Sequence, residues 1–299
     1  MSLWIAFTLL AAFMQAIRTA GQKSLSKDFS AMATTFARYL YALPFVISYL
    51  LVLLFLDDNV ENHLIVPEIL SNSRFLIFAL VASVAQILAT FALIKVFEQR
   101  NFAIGTSFAK TEAVQVALFG SLLFHDTLNI WAWVAVILGV VGTLTISGIH
   151  TDFKAARNAS VFGIASGLLF AFTSLFLRQA SLSLPYSSLI NAASTLAFMV
   201  IVQTIICASY LKLREPEQLA KLKHYAKHLW FIGASSAMGS IGWFTAMSLE
   251  NPAVVKTLGQ VEFFITLALT HYYFKEKIAR FEWFGMVCIL SSVVLVFVG

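Results

Sequence analysis

The sequence predicts an all-α integral membrane protein whose ten transmembrane helices form two inverted five-helix repeats. Three observations carry that prediction. Of 299 residues, 60% are hydrophobic and only 12% are charged, with a mean hydropathy of +0.84; soluble domains carry about 25% charged residues. Ten apolar runs approach or exceed the ~20 residues needed to cross a hydrocarbon core. A set of residues also recurs at a spacing of 150 positions.

The composition excludes other classes. A chain with 28 Phe, 14 Gly, 5 Pro and 2 Cys fits neither disorder nor a collagen or disulfide scaffold. The formal charge of +5 does not indicate nucleic acid here. In a membrane chain, basic residues in short loops are the ordinary retention signal. Cys207 and Cys288 lie inside apolar runs without metal-ligand spacing, so they read as small core residues. Neither a metal nor a cofactor is expected.

Taken in order, the spans run over 3–22, 31–56, 74–97, 102–124, 129–149, 159–181, 185–209, 228–249, 252–274 and 281–298. The first run is longer than a secretory h-region. Its charges, Arg18, Lys23 and Lys27, come at or after its end, so it is read as a retained span. Extended polar stretches from Asp57 to Ser73 and from Tyr210 to Lys227 flank the second and seventh spans. The third carries Phe75, Phe78, Phe91 and Phe97. Helix-start chemistry marks the fourth at Asn101, the seventh at Ser183 with Pro185, and the ninth at Asn251-Pro252. Each offers a side-chain cap, the last two with a nearby proline. Gly139 and Gly142 in the fifth span, and Gly163 and Gly167 in the sixth, permit close helix approach. Trp4, Trp131, Trp230 and Trp283 lie near span ends, the usual place of interfacial anchors.

The 150-residue spacing places Asn101, Ala103, Glu112, Phe124 and Trp133 on Asn251, Ala253, Glu262, Phe274 and Trp283. Asp126 falls on Glu276, and Arg18 matches Arg178 at a spacing of 160. The chain therefore divides into repeats at 1–150 and 151–299. An odd number of helices per repeat inserts the second upside down. That is the arrangement of many secondary transporters, whose sites lie near the midplane between halves.

The segments Ala109-Lys-Thr-Glu112 to His125-Asp126-Thr-Leu128, and Gly259-Gln-Val-Glu262 to Lys275-Glu276-Lys-Ile278, resemble the EamA-type branch of the drug/metabolite transporter superfamily. In that family each repeat carries a Glu in its fourth helix, often followed by Pro, then a second acid and a closing helix with Trp and Gly. Here Ala113 and Phe263 stand where the Pro often is, so straighter helices are expected. The closing helices keep Trp283 with Gly285, and Trp133 with Gly139 and Gly142. The resemblance implies two EamA units around a central cavity and export of small metabolites.

Each ionisable residue at a helix centre costs about 2.5–3.5 kcal/mol on insertion scales, so each marks function or a buried partner. Glu112 and Glu262 are each about ten residues into their spans. In one reading, one of them accepts a proton or faces a substrate amine. In the other, both bond neighbouring helices and pin the repeats, which their presence in both repeats favours. Lys110 is about 200° around the helix from Glu112, and Gln115 shares Glu112's side. The position matching Lys110 is Gln260, an asymmetry that suits a substrate-specific residue. Lys110 or Lys256 would attract a carboxylate or phosphate, although Lys256, near a helix end, reads first as a snorkelling residue. Arg18 and Arg178, in the last turns of their predicted spans, read as anchors or ion-pair partners. Arg38, beside Tyr39, is read as a carboxylate ligand, a snorkelling side chain or a partner of a buried acid. Lys95 and Glu98 pair locally. Gln86 on the third span and Trp243 with Phe244 on the eighth are placed to line a cavity.

Odd-numbered loops and their flanking helix ends hold 15 basic residues against 3 for the even ones, so both termini are expected outside the cytoplasm. The resemblance implies the opposite. No GxxxxGK[ST] or HExxH sequence occurs, so transport is expected to run on a proton, another ion or a substrate gradient, or passively. The best reading is an exporter in the cell inner (plasma) membrane. Its partners are the bilayer and a small-molecule substrate, first an amino acid or related zwitterion. Organic anions and lipophilic cations are the alternatives. An intramembrane enzyme using Glu112 or His271 as a base, or a receptor or scaffold, is the weaker rival.

Overall fold

A bilayer gives backbone N–H and C=O groups no partner but each other, which favours helices. The computed structural model describes residues 2–57, 62–98, 109, 111–146, 157–222, 225–262 and 280–298, and no strand occurs among them. The helices are α1 (Leu3–Leu25), α2 (Ala31–Leu56), α3 (Asn62–Ser71), α4 (Ser73–Phe97), α5 (Glu112–Phe124), α6 (Ile130–Ile146), α7 (Arg157–Leu182), α8 (Ser188–Arg214), α9 (Pro216–Leu222), α10 (Ala226–Leu249), α11 (Pro252–Gly259) and α12 (Arg280–Val298). Of these, α1, α2, α4, α7 and α8 contain stretches long and apolar enough to cross a membrane, and α5, α6 and α12 contain shorter apolar ones. Asn101, Lys110, His271 and Glu276 lie outside the described residues.

Several helix starts follow their sequence signals. The Ser30 hydroxyl accepts from Ala33 N at 3.1 Å, Asn72 from Phe75 N at 2.9 Å, and Asn251 from Ala253 N at 2.9 Å. The seventh span departs from expectation: its cap position is Ser187, and Ser183 instead donates to the Ala180 carbonyl at 2.7 Å. Asn191 organises the connection. Its Nδ2 donates to the carbonyls of Leu184 and Tyr186, and its Oδ1 accepts from Tyr186 N. The Tyr186 hydroxyl donates to Glu68 on α3. Burial and the adjacent Glu68 push its pKa up to about 12, so this tie keeps its proton across the physiological range.

The two polar stretches are not plain loops. They carry α3 and α9, the latter opened by Pro216 and Glu217 and closed by Lys221, each suited to its end of the helix dipole. At the end of α5, His125 takes a left-handed conformation with φ 55°. His125→Gly is expected to stabilise the protein by about 0.5–1 kcal/mol, read as a higher thermal unfolding midpoint.

The main partner of each long helix comes from the other half of the chain. α1 packs on α10, α4 on α7, α2 on α8 and α6 on α12, while α5 touches both α7 and α11. Small residues set the closest seams. A Cβ added to Gly142 would sit 2.6 Å from the Gly285 carbonyl oxygen across the α6–α12 seam. Cys207 and Cys288 are buried free thiols.

Candidate substrate cavity

Both segments that carry the paired acids are interrupted at the acid. Residue 109 is helical, Thr111 is in a turn, and α5 starts at Glu112. In the second half α11 ends at Gly259, Gln260 and Val261 form a turn, and helical geometry resumes at Glu262. The turn is closed by three-residue bonds, Gln260 N to Thr257 O at 3.2 Å and Val261 N to Leu258 O at 3.1 Å, the tightening that marks mid-helix hinges. After the acid, α5 runs unbroken across Ala113, and Phe263 lies outside the described residues; the interruption itself precedes the acid and needs no proline. Gly259 assists: a Cβ there would lie 2.4 Å from the Trp243 ring, so glycine lets the indole seat against the turn.

The interruptions open on a cavity of about 90 Å³. On the same measure one water needs about 10–15 Å³, so the cavity suits a small metabolite. Glu112 and Lys256 form an ion pair at 2.7 Å with side chains 13% and 12% exposed. Ser174 Oγ donates to the same Glu112 oxygen at 3.2 Å. The Lys256 ammonium also lies 4.2 Å from the centroid of the Trp243 ring, within cation–π range. Gln15 ties the second acid in: its Nε2 donates to Glu262 at 3.0 Å, and its Oε1 accepts from Trp243 Nε1 at 2.9 Å and from Arg18 at 3.3 Å.

The structure brings Glu112, Glu262, Arg38, Gln86 and Trp243, with Phe244, to the wall of this cavity. Gln86 accepts at 2.6 Å from Gln203 Nε2. Gln260 lines a small annex, accepts from Thr143 at 3.1 Å and lies against Gly139. Gln115 does not line the cavity and donates to Thr111 at 3.0 Å. Lys110 lies outside the described residues.

Two expectations are corrected. Lys256 does not snorkel: its ammonium points inward to Glu112. Arg18 is no end anchor, because α1 continues to Leu25 and leaves Arg18 buried in the cavity wall. Arg178 does act at a helix end, donating to the carbonyls of Met247, at 2.7 Å, and Glu250 as α10 finishes. Lys95 and Glu98 pair at 2.8 Å. Gln15 was not foreseen; its only signal is an amide inside an otherwise apolar run. Among the described residues, no three His, Cys, Asp or Glu side chains gather in a way that could hold a metal ion.

A helical chain with an apolar skin and charged side chains gathered on an internal cavity is built as a membrane transporter. A model of the EamA-like transporter family matches it twice, over residues 2–148 and 157–298. The chain belongs to the EamA-like transporter family. Among solved structures, 24 chains match. One, named only as the crystal structure of a protein, shares 11% identity at a TM-score of 0.74, over 99% of this chain and 96% of its own. At that identity the likeness concerns the fold. No curated protein matches the chain.

Proposed function

We propose that the chain exports small metabolites, foremost amino acids or related zwitterions, across the cell inner (plasma) membrane. Ten spans in two inverted repeats, 1–150 and 151–299, would expose the cavity alternately to each side. The observation that carries this reading is the Glu112–Lys256 pair, which joins the two halves across the cavity at 2.7 Å. The packing supports it too. Exchanging the halves would turn the α1–α10 contact into the α7–α4 contact and return α2–α8 and α6–α12 to themselves, as a two-fold relation requires. A proton or other ion gradient would supply the drive.

A second reading, organic anions, is favoured by the three cations, Arg18, Arg38 and Lys256, that line the cavity with two acids. The deciding experiment profiles metabolites in medium from cells overproducing the protein or an equally abundant Glu262→Gln variant. A compound that accumulates outside only with the wild type supports export and names the substrate. If both proteins release it equally, Glu262 has no part. If neither changes any metabolite, the export reading fails.

A further inference from the structure

Two buried guanidiniums face the cavity, and among the described residues no carboxylate is bonded to either. Arg18 and Arg38 are only 4% and 3% exposed, and both line it. Arg18 donates to the neutral Gln15 amide at 3.3 Å, and its Nε finds no partner. Arg38 donates to the Thr90 hydroxyl at 2.7 Å and lies 5.2 Å from the Tyr39 ring centroid. Among the described residues, neither makes a salt bridge with a carboxylate. Glu112 is bonded to Lys256 and Ser174, and Glu262 accepts from Gln15; both attract Arg18 through space, yet the described lining still holds three cations against two acids.

Arginine does not shed its proton in a protein, and an excess of positive charge in a buried site is disfavoured. An anion from solution resolves the conflict. A carboxylate fits best, since it takes two parallel N–H bonds from a guanidinium. The rest of the lining includes Leu93, Phe170, Leu177, Phe244 and Met247, which suits an apolar body.

We propose that Arg18 and Arg38 form the carboxylate-binding end of the cavity, and that the substrate is a small amphipathic carboxylate whose amino group is dispensable. This rests on the transporter reading above and narrows it. The acid function is what the site recognises, and an amine without it is rejected.

The test uses the full chain in lipid nanodiscs. Thermal unfolding midpoints are measured with straight-chain acids from propanoate to octanoate, with amines of the same chain lengths, and with leucine as a zwitterion. A ligand that binds the folded state raises the midpoint. The expected result is a rise with leucine and with acids of fitting length, and none with the amines. Arg18→Gln and Arg38→Gln are each expected to weaken acid binding roughly tenfold or more while raising the midpoint of the ligand-free protein, because each removes a buried charge to which no described carboxylate is bonded. The proposal is overturned if amines stabilise as well as acids, if no acid stabilises, or if both variants keep acid affinity. A lower ligand-free midpoint in both variants also overturns it, because that marks the guanidiniums as structural. Transport is read separately, by counterflow of the binding acid in proteoliposomes. If the acid binds through the arginines yet does not cross, the transporter reading fails and the anion site stands.

Discussion

Lys256→Ala is expected to abolish transport and to destabilise the protein by about 3–5 kcal/mol, because it leaves the Glu112 carboxylate without its ion-pair partner in a poorly solvated cavity. Glu112→Gln should act in the same direction on transport, since the ammonium would lose the carboxylate that ties it to the other half of the chain. The double variant Glu112→Gln with Lys256→Met separates the two effects. Removing both charges avoids the stranded one, so stability should recover while transport stays absent. Unfolding midpoints in detergent and counterflow in liposomes read the two quantities. Lys256→Ala with wild-type transport would show that the pair is only a structural pin.

Gly233→Ala is expected to be the most damaging single-methyl change between helices. A Cβ at Gly233 would lie 2.3 Å from the Tyr41 carbonyl oxygen and 2.5 Å from its Cβ. Neither α2 nor α10 can relieve that by turning a side chain, so the helices must separate. Overpacking of this kind costs about 1–3 kcal/mol, and more where backbone blocks the new atom. Gly239→Ala on the same helix is the control. Its nearest contact would be Met14 Cβ at 3.4 Å, ordinary packing distance, and its unfolding midpoint should stay near that of the wild type. Equal midpoints for the two variants would refute the assigned seam.

Helix positions were largely legible because apolar runs and terminal polar residues follow from local chemistry. Asn251 announces its cap two residues from the bond it makes. The short helices at 62–71 and 216–222 were hidden by their polarity, although Pro216, Glu217 and Lys221 carried the signals of α9. The cavity was legible only in part. The depth of Glu112, Glu262, Gln86 and Trp243 could be counted along their spans, and the structure brings these four to one wall. Lys256 lies 144 positions from Glu112, so its inward turn depends on packing between halves, which no local pattern encodes. Arg18 was misread for a simpler reason. Gln22 and Lys23 look like the end of a span, yet the backbone keeps its helical bonds to Leu25.

The cross-chain pairing of helices has a consequence for how the molecule forms. When the first half has been synthesised, α1, α2, α4 and α6 all lack the surfaces on which they come to rest, since those surfaces belong to α10, α8, α7 and α12. Contacts this distant in sequence carry large loop-closure entropy, and none of these main seams can close before the later helices are inserted. Each of these seams therefore waits for its second-half helix, and the Glu112–Lys256 pair waits for α11.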